Sequence, residues 1–393
     1  MLQIKNLTLT HKKDFRVILQ DFSCALSEGD KAVIIGEEGN GKSTLLKWLY
    51  DPELIEDYVE AKGERIAAQE QMAYLPQELP GEDREKTLYE FFGDSPAFYE
   101  QSPKSLSALA GKFHVPQDFF YGDQPMGTLS GGEKVKAQMM RLLMAQPTAL
   151  LLDEPSNDLD IETLECLEEL IRDWPGIVLF ISHDETLIER TANMVIHIEQ
   201  IRRKTVCRHT IAHVPYLQYR QEREDRFEKQ SKQAANERRE KEIRDEKLNR
   251  IEQSVAYHLG AVSRQAPSVG RLLKKKMKAV KSMERRFERQ DEDMTRMPEE
   301  EDAIFFKLGE KDAAIPAGKT VIEYGLPCLR TPDGARVLAK DVSLHVRGSE
   351  KIGIIGHNGA GKTTLLRMIA EELLSRTDIH AAYMPQNYED LLN

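Results

Sequence analysis

The chain has 393 residues, 40% of them apolar and 31% charged, which is typical of a soluble globular protein of two or three domains. No apolar run approaches the roughly 18 residues that cross a bilayer, and no charged-then-apolar leader follows Met1, so neither membrane insertion nor secretion is expected. The four cysteines form no C-x-x-C pair, which argues against a zinc site or a disulfide framework. We therefore expect a cytoplasmic protein with reduced thiols. The net charge of −11 argues at first sight against a nucleic-acid partner.

A phosphate-binding loop stands near the amino terminus. Residues 31–35 form a short apolar run, residues 36–43 are G-E-E-G-N-G-K-S, and an apolar helical pattern follows directly. This is the G-x-x-x-x-G-K-S pattern in the strand-loop-helix context that it requires. Its glycines let backbone N–H groups face phosphates, its lysine neutralises phosphate charge, and its serine hydroxyl suits Mg²⁺. The residues expected to contact the nucleotide are Gly36, Gly39, Asn40, Gly41, Lys42, Ser43 and Thr44.

The chain contains two copies of this unit. Asp21-Phe22-Ser23 recurs as Asp341-Val342-Ser343 at an offset of 320, and the loop recurs as G-H-N-G-A-G-K-T after a second predicted strand, 352–355. Tyr74-Leu75-Pro76-Gln77 recurs at an offset of 309 as Tyr383-Met384-Pro385-Gln386. The second copy therefore offers its own nucleotide contacts, Gly356, Asn358, Gly359, Gly361, Lys362, Thr363, Thr364 and Gln386.

Two further apolar runs end in side chains suited to phosphate chemistry. Residues 149–152 are followed by Asp153 and Glu154, and residues 177–181 precede Ser182-His183-Asp184. Because ligands bind at the carboxyl ends of parallel strands, Asp153 is positioned for Mg²⁺ and Glu154 for polarising a water, while His183 can reach a γ-phosphate. Taken alone, these are ordinary strand ends and a structural histidine, so the assignments depend on the other motifs.

The discriminating motif is L-S-G-G-E over residues 129–133, followed by helix-like sequence to Ala145. Ser130, Gly131 and Gly132 can present a hydroxyl and exposed amides at a helix N-terminus to a second phosphate. A phosphate loop, Gln77, L-S-G-G-E, L-L-D-E-P and S-H-D, in this order, resemble an ATP-binding cassette (ABC) ATPase. Two such cassettes, with a charged helical linker and no membrane segment, resemble the ABC-F family of soluble ATPases that act on the ribosome.

This resemblance implies an α/β fold with three parts. They are a first P-loop ABC ATPase domain over 1–212, a long antiparallel helical linker hairpin over 213–300, and the N-terminal part of a second ABC domain over 301–393. In the family, each site takes the phosphate loop, Gln, Asp-Glu and His from one cassette and L-S-G-G-E from the other. The implied cofactors are ATP and Mg²⁺, with Glu154 and His183 as catalytic residues. The implied Mg²⁺ ligands are Ser43, Gln77, Asp153, Thr363 and Gln386.

The charge of the linker reverses the argument against a nucleic-acid partner that the net charge of the whole chain suggested. Apolar residues gain helical spacing on both sides of the breakers Gly260, Pro267 and Gly270, which predicts a hairpin with its tip at about 258–270. Residues 257–290 carry +8 and the remainder −19, an asymmetry that indicates a polyanionic partner, although a solvated charged face is the alternative. Few aromatic residues interleave, so recognition of RNA shape and backbone is expected, with no DNA or membrane partner. The candidate RNA contacts are Arg264, Arg271, Lys274, Lys275, Lys276 and Lys278.

The family resemblance also implies the function. ATP binding and hydrolysis would drive the hairpin toward the peptidyl-transferase centre, where it meets rRNA and tRNA and protects the ribosome from antibiotics. The alternatives are a housekeeping translation factor of the same family, a non-hydrolysing RNA-binding fragment, and the ATPase subunit of a transporter. The long charged linker argues against the transporter.

Several features depart from the family pattern. Glu37 and Glu38 place two acids where relatives usually have a neutral residue and Asn, and Asp158 stands where many have His. Phe15 and His11 are the candidates for stacking on adenine. The second copy ends soon after Gln386, so neither composite site would be complete, and we expect a fragment or truncated product whose first cassettes can pair head to tail.

Overall fold

The computed structural model describes most of the chain. The described residues are 1–67, 70–157, 159–261, 267–292, 294–295, 297, 318–330, 337–348, 350–357 and 359–385. Four residues singled out by the sequence, Asp158, Arg264, Asn358 and Gln386, lie outside these ranges.

The first copy contains nine strands and eight short helices within the described residues. The strands are β1 (Leu2–His11), β2 (Val17–Leu26), β3 (Lys31–Ile35), β4 (Val59–Ile66), β5 (Met72–Leu75), β6 (Ala149–Asp153), β7 (Ile177–Ile181), β8 (Met194–Gln200) and β9 (Val206–Ala212). The helices are α1 (Lys42–Tyr50), α2 (Leu88–Gly93), α3 (Pro96–Tyr99), α4 (Pro103–Lys112), α5 (Gly131–Met144), α6 (Ile161–Asp173), α7 (Glu185–Thr191) and α8 (Ile201–Lys204).

A six-stranded sheet in the order β5-β6-β7-β3-β8-β9 positions the site. Strand β3 pairs in parallel with β7 and β8, and β6 pairs in parallel with β5 and β7. Every residue of β6 and β7 is buried, as expected for parallel strands covered on both faces. The three apolar runs predicted from the sequence are therefore strands, and the α/β fold class is confirmed. A separate antiparallel sheet, β2-β1-β4, packs into the same hydrophobic core.

The second copy has β10 (Thr320–Arg330) paired antiparallel with β11 (Val337–Arg347), followed by α11 (Lys362–Ser375). The strand predicted over 352–355 is wrong, because these residues form no strand, and the side chains of Ile352, Ile354 and Ile355 are 48, 38 and 84% exposed. An extended segment becomes a parallel strand only when neighbours satisfy its N–H and C=O groups. No strand in the described part of the chain pairs with this segment.

The chain divides into two compact units. One comprises Met1–Glu199, Cys207–His213 and Ala303–Asn393, and the other comprises Gln200–Val206 and Val214–Asp302. The second unit contains α9 (Tyr216–Ala261) and α10 (Pro267–Glu292), and at 1.5 Å per residue the 46 residues of α9 extend about 69 Å. Residues 262–266, within the predicted tip, lie outside the described ranges.

Contacts between α9 and α10 show that the two helices run antiparallel. Lys241 Nζ lies 2.9 Å from Asp291 Oδ2, and the Arg244 guanidinium lies 4.5 Å from the centre of the Phe287 ring. The later residue of α9 thus contacts the earlier residue of α10, as expected for antiparallel helices. Within the described residues, no helix combines the length and the apolar character that crossing a membrane requires.

Candidate nucleotide-binding site

The first phosphate loop joins β3 to α1 and depends on glycine. Gly36, Gly39 and Gly41 have φ values of 148, 77 and 88°, which favour a residue without a side chain. A Cβ on Gly36 would lie 2.1 Å from the Ile198 carbonyl oxygen, so only glycine allows this approach to β8. The Asn40 side chain donates to the same carbonyl (3.1 Å) and anchors the loop. The loop is thus held in shape by β8 before any ligand binds.

Lys42 lies over this loop. Its ammonium donates to the carbonyl oxygens of Gly36 (2.7 Å) and Glu37 (3.0 Å). Thr44, two residues after Lys42, hydrogen-bonds the Tyr58 side chain. Burial of Tyr58 raises its pKa. A lysine held against the loop is positioned to move its charge onto a phosphate that occupies the loop.

Ser43 and Asp153, two of the predicted Mg²⁺ ligands, lie in direct contact. The Ser43 hydroxyl donates to Asp153 Oδ1 (2.9 Å), and the Tyr74 hydroxyl donates to Asp153 Oδ2 (3.2 Å). Burial raises the Asp153 pKa, and burial beside that carboxylate raises the Tyr74 pKa. A hydroxyl and a carboxylate fit Mg²⁺, which is usually held by one or two carboxylates together with substrate phosphates.

Glu154 follows β6 in an unusual backbone conformation. Its φ is +50°, a left-handed value that is strained for a residue with a side chain. Its N–H donates to the Ile181 carbonyl (3.1 Å), and Asn157 Nδ2 donates to its Oε2 (2.8 Å). His183 Nε2 lies 3.3 Å from Glu154 Oε1. The two predicted catalytic side chains therefore meet at the ends of β6 and β7.

Gln77 and the adenine candidates are less constrained. Gln77 is exposed two residues after β5. Phe15 is 80% exposed in the turn between β1 and β2, while His11 Nδ1 lies 2.8 Å from Asp14 Oδ1. The exposed Phe15 ring is available for stacking, whereas His11 already has a carboxylate neighbour.

The L-S-G-G-E motif forms the N-terminus of α5. The Ser130 hydroxyl accepts from the Glu133 N–H (3.4 Å), and Glu133 Oε2 accepts from the Ser130 N–H (2.9 Å). This reciprocal capping box holds the first turn in place, and the N-terminus of a helix attracts anions. Gly131 and Gly132 lie in that first turn.

The second phosphate loop repeats the geometry of the first. Lys362 Nζ donates to the carbonyl oxygens of Gly356 (2.7 Å) and His357 (2.9 Å), and Gly361 caps α11. This loop and the L-S-G-G-E motif line one cavity of about 930 Å³, within the first unit. Lining residues predicted from the sequence are Ser130, Gly131, Gly356, Gly359, Gly361, Lys362, Thr363 and Thr364.

The sequence alone did not reveal several residues of these sites. Lys134, Arg367, Glu78 and Tyr383 also line the cavity. Tyr74 and Tyr383 are the first residues of the repeated Tyr-x-Pro-Gln segments, so the repeat itself could have indicated both. No repeat or motif in the sequence indicated that Asn157 would contact Glu154.

The predicted RNA contacts lie on α10. Arg271, Lys274, Lys275, Lys276 and Lys278 are all exposed, while the intervening Leu273 and Met277 are half-buried. The helix therefore presents its cations to solvent. Arg264 falls in the part of the chain that the structure does not describe.

Comparison with known protein families finds a match in each of the two copies. The family model described as "ABC transporter" matches residues 19–157 and again 339–381, which are the two copies found by repeat analysis. Both matched segments include a phosphate loop, and the first also includes L-S-G-G-E and the Asp153-Glu154 pair.

Three curated relatives resemble the chain. "ATP-binding protein Uup" of Haemophilus influenzae is 34% identical over 45% of this chain and 27% of its own length. "Ribosome protection protein VmlR" of Bacillus subtilis is 27% identical over 94% and 62%. "Energy-dependent translational throttle protein EttA" of Haemophilus influenzae is 32% identical over 50% and 34%. The chain thus spans between about a quarter and two thirds of the length of these relatives. In these motifs, in the matched family model and in these relatives, the chain is similar to ATP-binding cassette proteins.

Proposed function

We propose that the chain is an ATP-dependent, ribosome-binding protein, in which ATP joins the two cassette copies and the helical hairpin contacts ribosomal RNA. One observation carries the nucleotide half of this proposal: Ser130 of the first copy and Lys362 of the second line the same cavity of about 930 Å³. A nucleoside triphosphate in that cavity would contact both copies. Its binding would therefore favour the joined arrangement over the separated one.

The cavity residues have distinct tasks in this proposal. Lys362 and the amides at the start of α11 bind the β- and γ-phosphates, and Thr363 offers a hydroxyl to Mg²⁺. Ser130 and the first turn of α5 approach the γ-phosphate from the opposite wall. Lys134 and Arg367 add positive charge to the cavity lining.

The first copy supplies the residues for hydrolysis. Lys42 holds the phosphates, and Ser43 with Asp153 would hold Mg²⁺, which neutralises phosphate charge when bound. Glu154 accepts a hydrogen bond from the attacking water and aims it at the γ-phosphorus. His183, 3.3 Å from Glu154, is placed to orient that carboxylate and to hydrogen-bond the γ-phosphate.

The ribosomal half rests on the hairpin and on the relatives. The exposed cations of α10 suit the RNA backbone, and two relatives are named for ribosome protection and translational throttling. We further propose that the hairpin approaches the peptidyl-transferase centre and protects it from antibiotics. A housekeeping role in translation is the second candidate, favoured by the EttA relative.

Replacement of the proposed catalytic carboxylate tests the nucleotide half. Glu154→Gln should slow hydrolysis and retain ATP-bound protein on ribosomes, measured by co-sedimentation with and without ATP. The control is Glu165→Gln, an exposed glutamate of α6. Ribosome occupancy that ignores ATP would contradict the coupling and favour a simple RNA-binding module. An ATPase rate rising with the square of protein concentration would indicate head-to-tail pairing of two chains.

Charge removal on the hairpin tests the ribosomal half. Lys274→Ala/Lys275→Ala/Lys278→Ala should weaken ribosome binding and reduce its salt dependence, since each phosphate contact adds about 0.7–0.9 to the logarithmic salt slope. The matched control is Lys229→Ala/Arg238→Ala/Arg239→Ala, which removes three exposed cations from α9.

Expression in a susceptible host with a panel of peptidyl-transferase inhibitors separates antibiotic protection from a housekeeping role in translation. Resistance to none of them would favour housekeeping.

A further inference from the structure

The two phosphate loops share the backbone conformation of their three glycines. The φ values of Gly36, Gly39 and Gly41 are 148, 77 and 88°, and those of their counterparts Gly356, Gly359 and Gly361 are 156, 76 and 92°. The loop lysines also match, because each donates to the two carbonyl oxygens at the start of its loop, at 2.7 and 3.0 Å in the first copy and 2.7 and 2.9 Å in the second. A difference between the loops in nucleotide binding would therefore come from the side chains in and around each loop.

The side chains differ in charge. Glu37 and Glu38 are both exposed in the first loop, where they add two negative charges beside the phosphate position. The sequence of the second loop has His357 and Asn358 instead. The His357 ring is directed toward a carboxylate, with Nδ1 3.6 Å from Glu162 Oε2.

The surroundings add to this difference. At the first loop, four acids, Glu37, Glu38, Asp153 and Glu154, stand against the two lysines Lys42 and Lys47. The cavity at the second loop is lined by Lys134, Lys362 and Arg367 against two acids, Glu78 and Asp160. A triphosphate, itself strongly negative, therefore meets a more negative field at the first loop than at the second.

We propose that Glu37 and Glu38 are specificity-determining residues that weaken triphosphate binding at the first loop, so that ATP fills the second loop first. The inference rests on the proposed function, since it assumes that both loops bind ATP. Exposed unit charges several ångströms from a phosphate are partly screened, and the two together should weaken binding about three- to tenfold at low salt. The effect should shrink as ionic strength rises, because the Debye length falls to about 3 Å at 1 M salt.

Single-loop variants of the whole chain test this order. Lys362→Ala leaves the first loop as the main binding site, and Lys42→Ala leaves the second. Calorimetric titration with the magnesium complex of a non-hydrolysable ATP analogue should give weaker binding in Lys362→Ala than in Lys42→Ala. In the Lys362→Ala background, Glu37→Gln/Glu38→Gln should tighten binding about three- to tenfold at 50 mM salt and less at 500 mM. The matched control is Glu165→Gln/Glu169→Gln, which removes two exposed acids from α6.

The reciprocal change uses the second loop. In the Lys42→Ala background, His357→Glu should weaken binding with the same salt dependence. Equal affinities of the two single-loop variants would overturn the inference, as would a Glu37→Gln/Glu38→Gln variant that binds no tighter. Those results leave the proposed function intact. If the unsubstituted chain, folded by circular dichroism, binds no nucleotide, the proposed function fails and the inference falls with it.

Discussion

Two segments that share four of six residues adopt different structures in this chain. Residues 31–36 are K-A-V-I-I-G, and Lys31–Ile35 form strand β3, whereas residues 351–356 are K-I-G-I-I-G and form no strand. Strand β3 has β7 on one side and β8 on the other, and both supply hydrogen-bond partners. Whether a segment forms a central parallel strand therefore depends on the strands beside it, because its own residues cannot satisfy its N–H and C=O groups.

The largest expected effect comes from truncating matched isoleucines in the two segments. Ile34 is fully buried, so Ile34→Ala should destabilise the first copy by about 2–5 kcal/mol. Its counterpart Ile354 is 38% exposed, and Ile354→Ala should cost about 1 kcal/mol or less. Hydrogen exchange followed by mass spectrometry reports each region separately. Equal losses of protection would mean that 351–356 is as well packed as β3.

A matched glycine pair gives the next largest effect. Both Gly36 and Gly356 have positive φ, so alanine is strained at either position, but only at Gly36 would the new Cβ meet a backbone oxygen, 2.1 Å away. At Gly356 the nearest atom lies at 3.8 Å. Gly36→Ala should therefore lower the free energy of unfolding by about 2 kcal/mol more than Gly356→Ala does. The midpoint of thermal unfolding of each variant measures this difference. Similar losses would show that φ strain, rather than the contact with β8, dominates at both sites.

The repeated tyrosines provide a smaller test. The Tyr74 hydroxyl donates to the buried Asp153 carboxylate, and Tyr74→Phe would remove that donor at a cost of about 1–3 kcal/mol. Tyr383→Phe should cost less, because Tyr383 lines the cavity and, among the described residues, its hydroxyl has no hydrogen bond to a carboxylate. Urea unfolding of both variants measures the difference. A larger loss for Tyr383→Phe would contradict the assigned contact.

The smallest effect concerns pH, and its sign differs between the copies. Burial raises the Asp153 pKa, so the cost of its buried charge is present at neutral pH and is relieved as pH falls through the folded-state pKa. Arg376 lowers the pKa of Asp378, whose stabilising contribution is present above the unfolded value of 3.8 and is lost as pH falls through the lower folded-state pKa.

The matched variants are Asp153→Asn and Asp378→Asn. Asp378→Asn should reduce protection of α11 at pH 6, and its difference from the parent chain should shrink as pH falls below 3.8 and through the lower folded-state pKa of Asp378. Asp153→Asn has no buried carboxylate to protonate at this position. The variant should therefore lack the gain in stability that the first copy of the parent chain shows as pH falls. Hydrogen exchange, corrected for the intrinsic pH dependence of the exchange rate, measures both. A deficit for Asp378→Asn that persists unchanged at low pH would exclude ionisation as its cause.

Local patterns were sufficient for much of the fold and of the site. The apolar runs of β3, β6 and β7 and the helix N-terminus at Ser130 were predicted because strands buried on both faces and helix N-termini leave signatures in a few adjacent residues. The hairpin was predicted for a similar reason, since helical spacing and the breakers Gly260 and Pro267 are read directly along the chain. The role of Tyr74 was missed, because its contact with Asp153 joins two neighbouring strands far apart in sequence.

By itself, the sequence determined the two phosphate loops, the L-S-G-G-E motif, the position of the proposed catalytic carboxylate and the cationic face of α10. Each depends on residue types at short spacing, and short spacing is enough to define a turn or a helix face. Only the tertiary structure decided that 352–355 is not a strand, that Glu154 meets His183, and that Ser130 and Lys362 line one cavity. Each of these outcomes depends on what lies beside a residue in space, and long-range neighbours leave no mark on the local pattern.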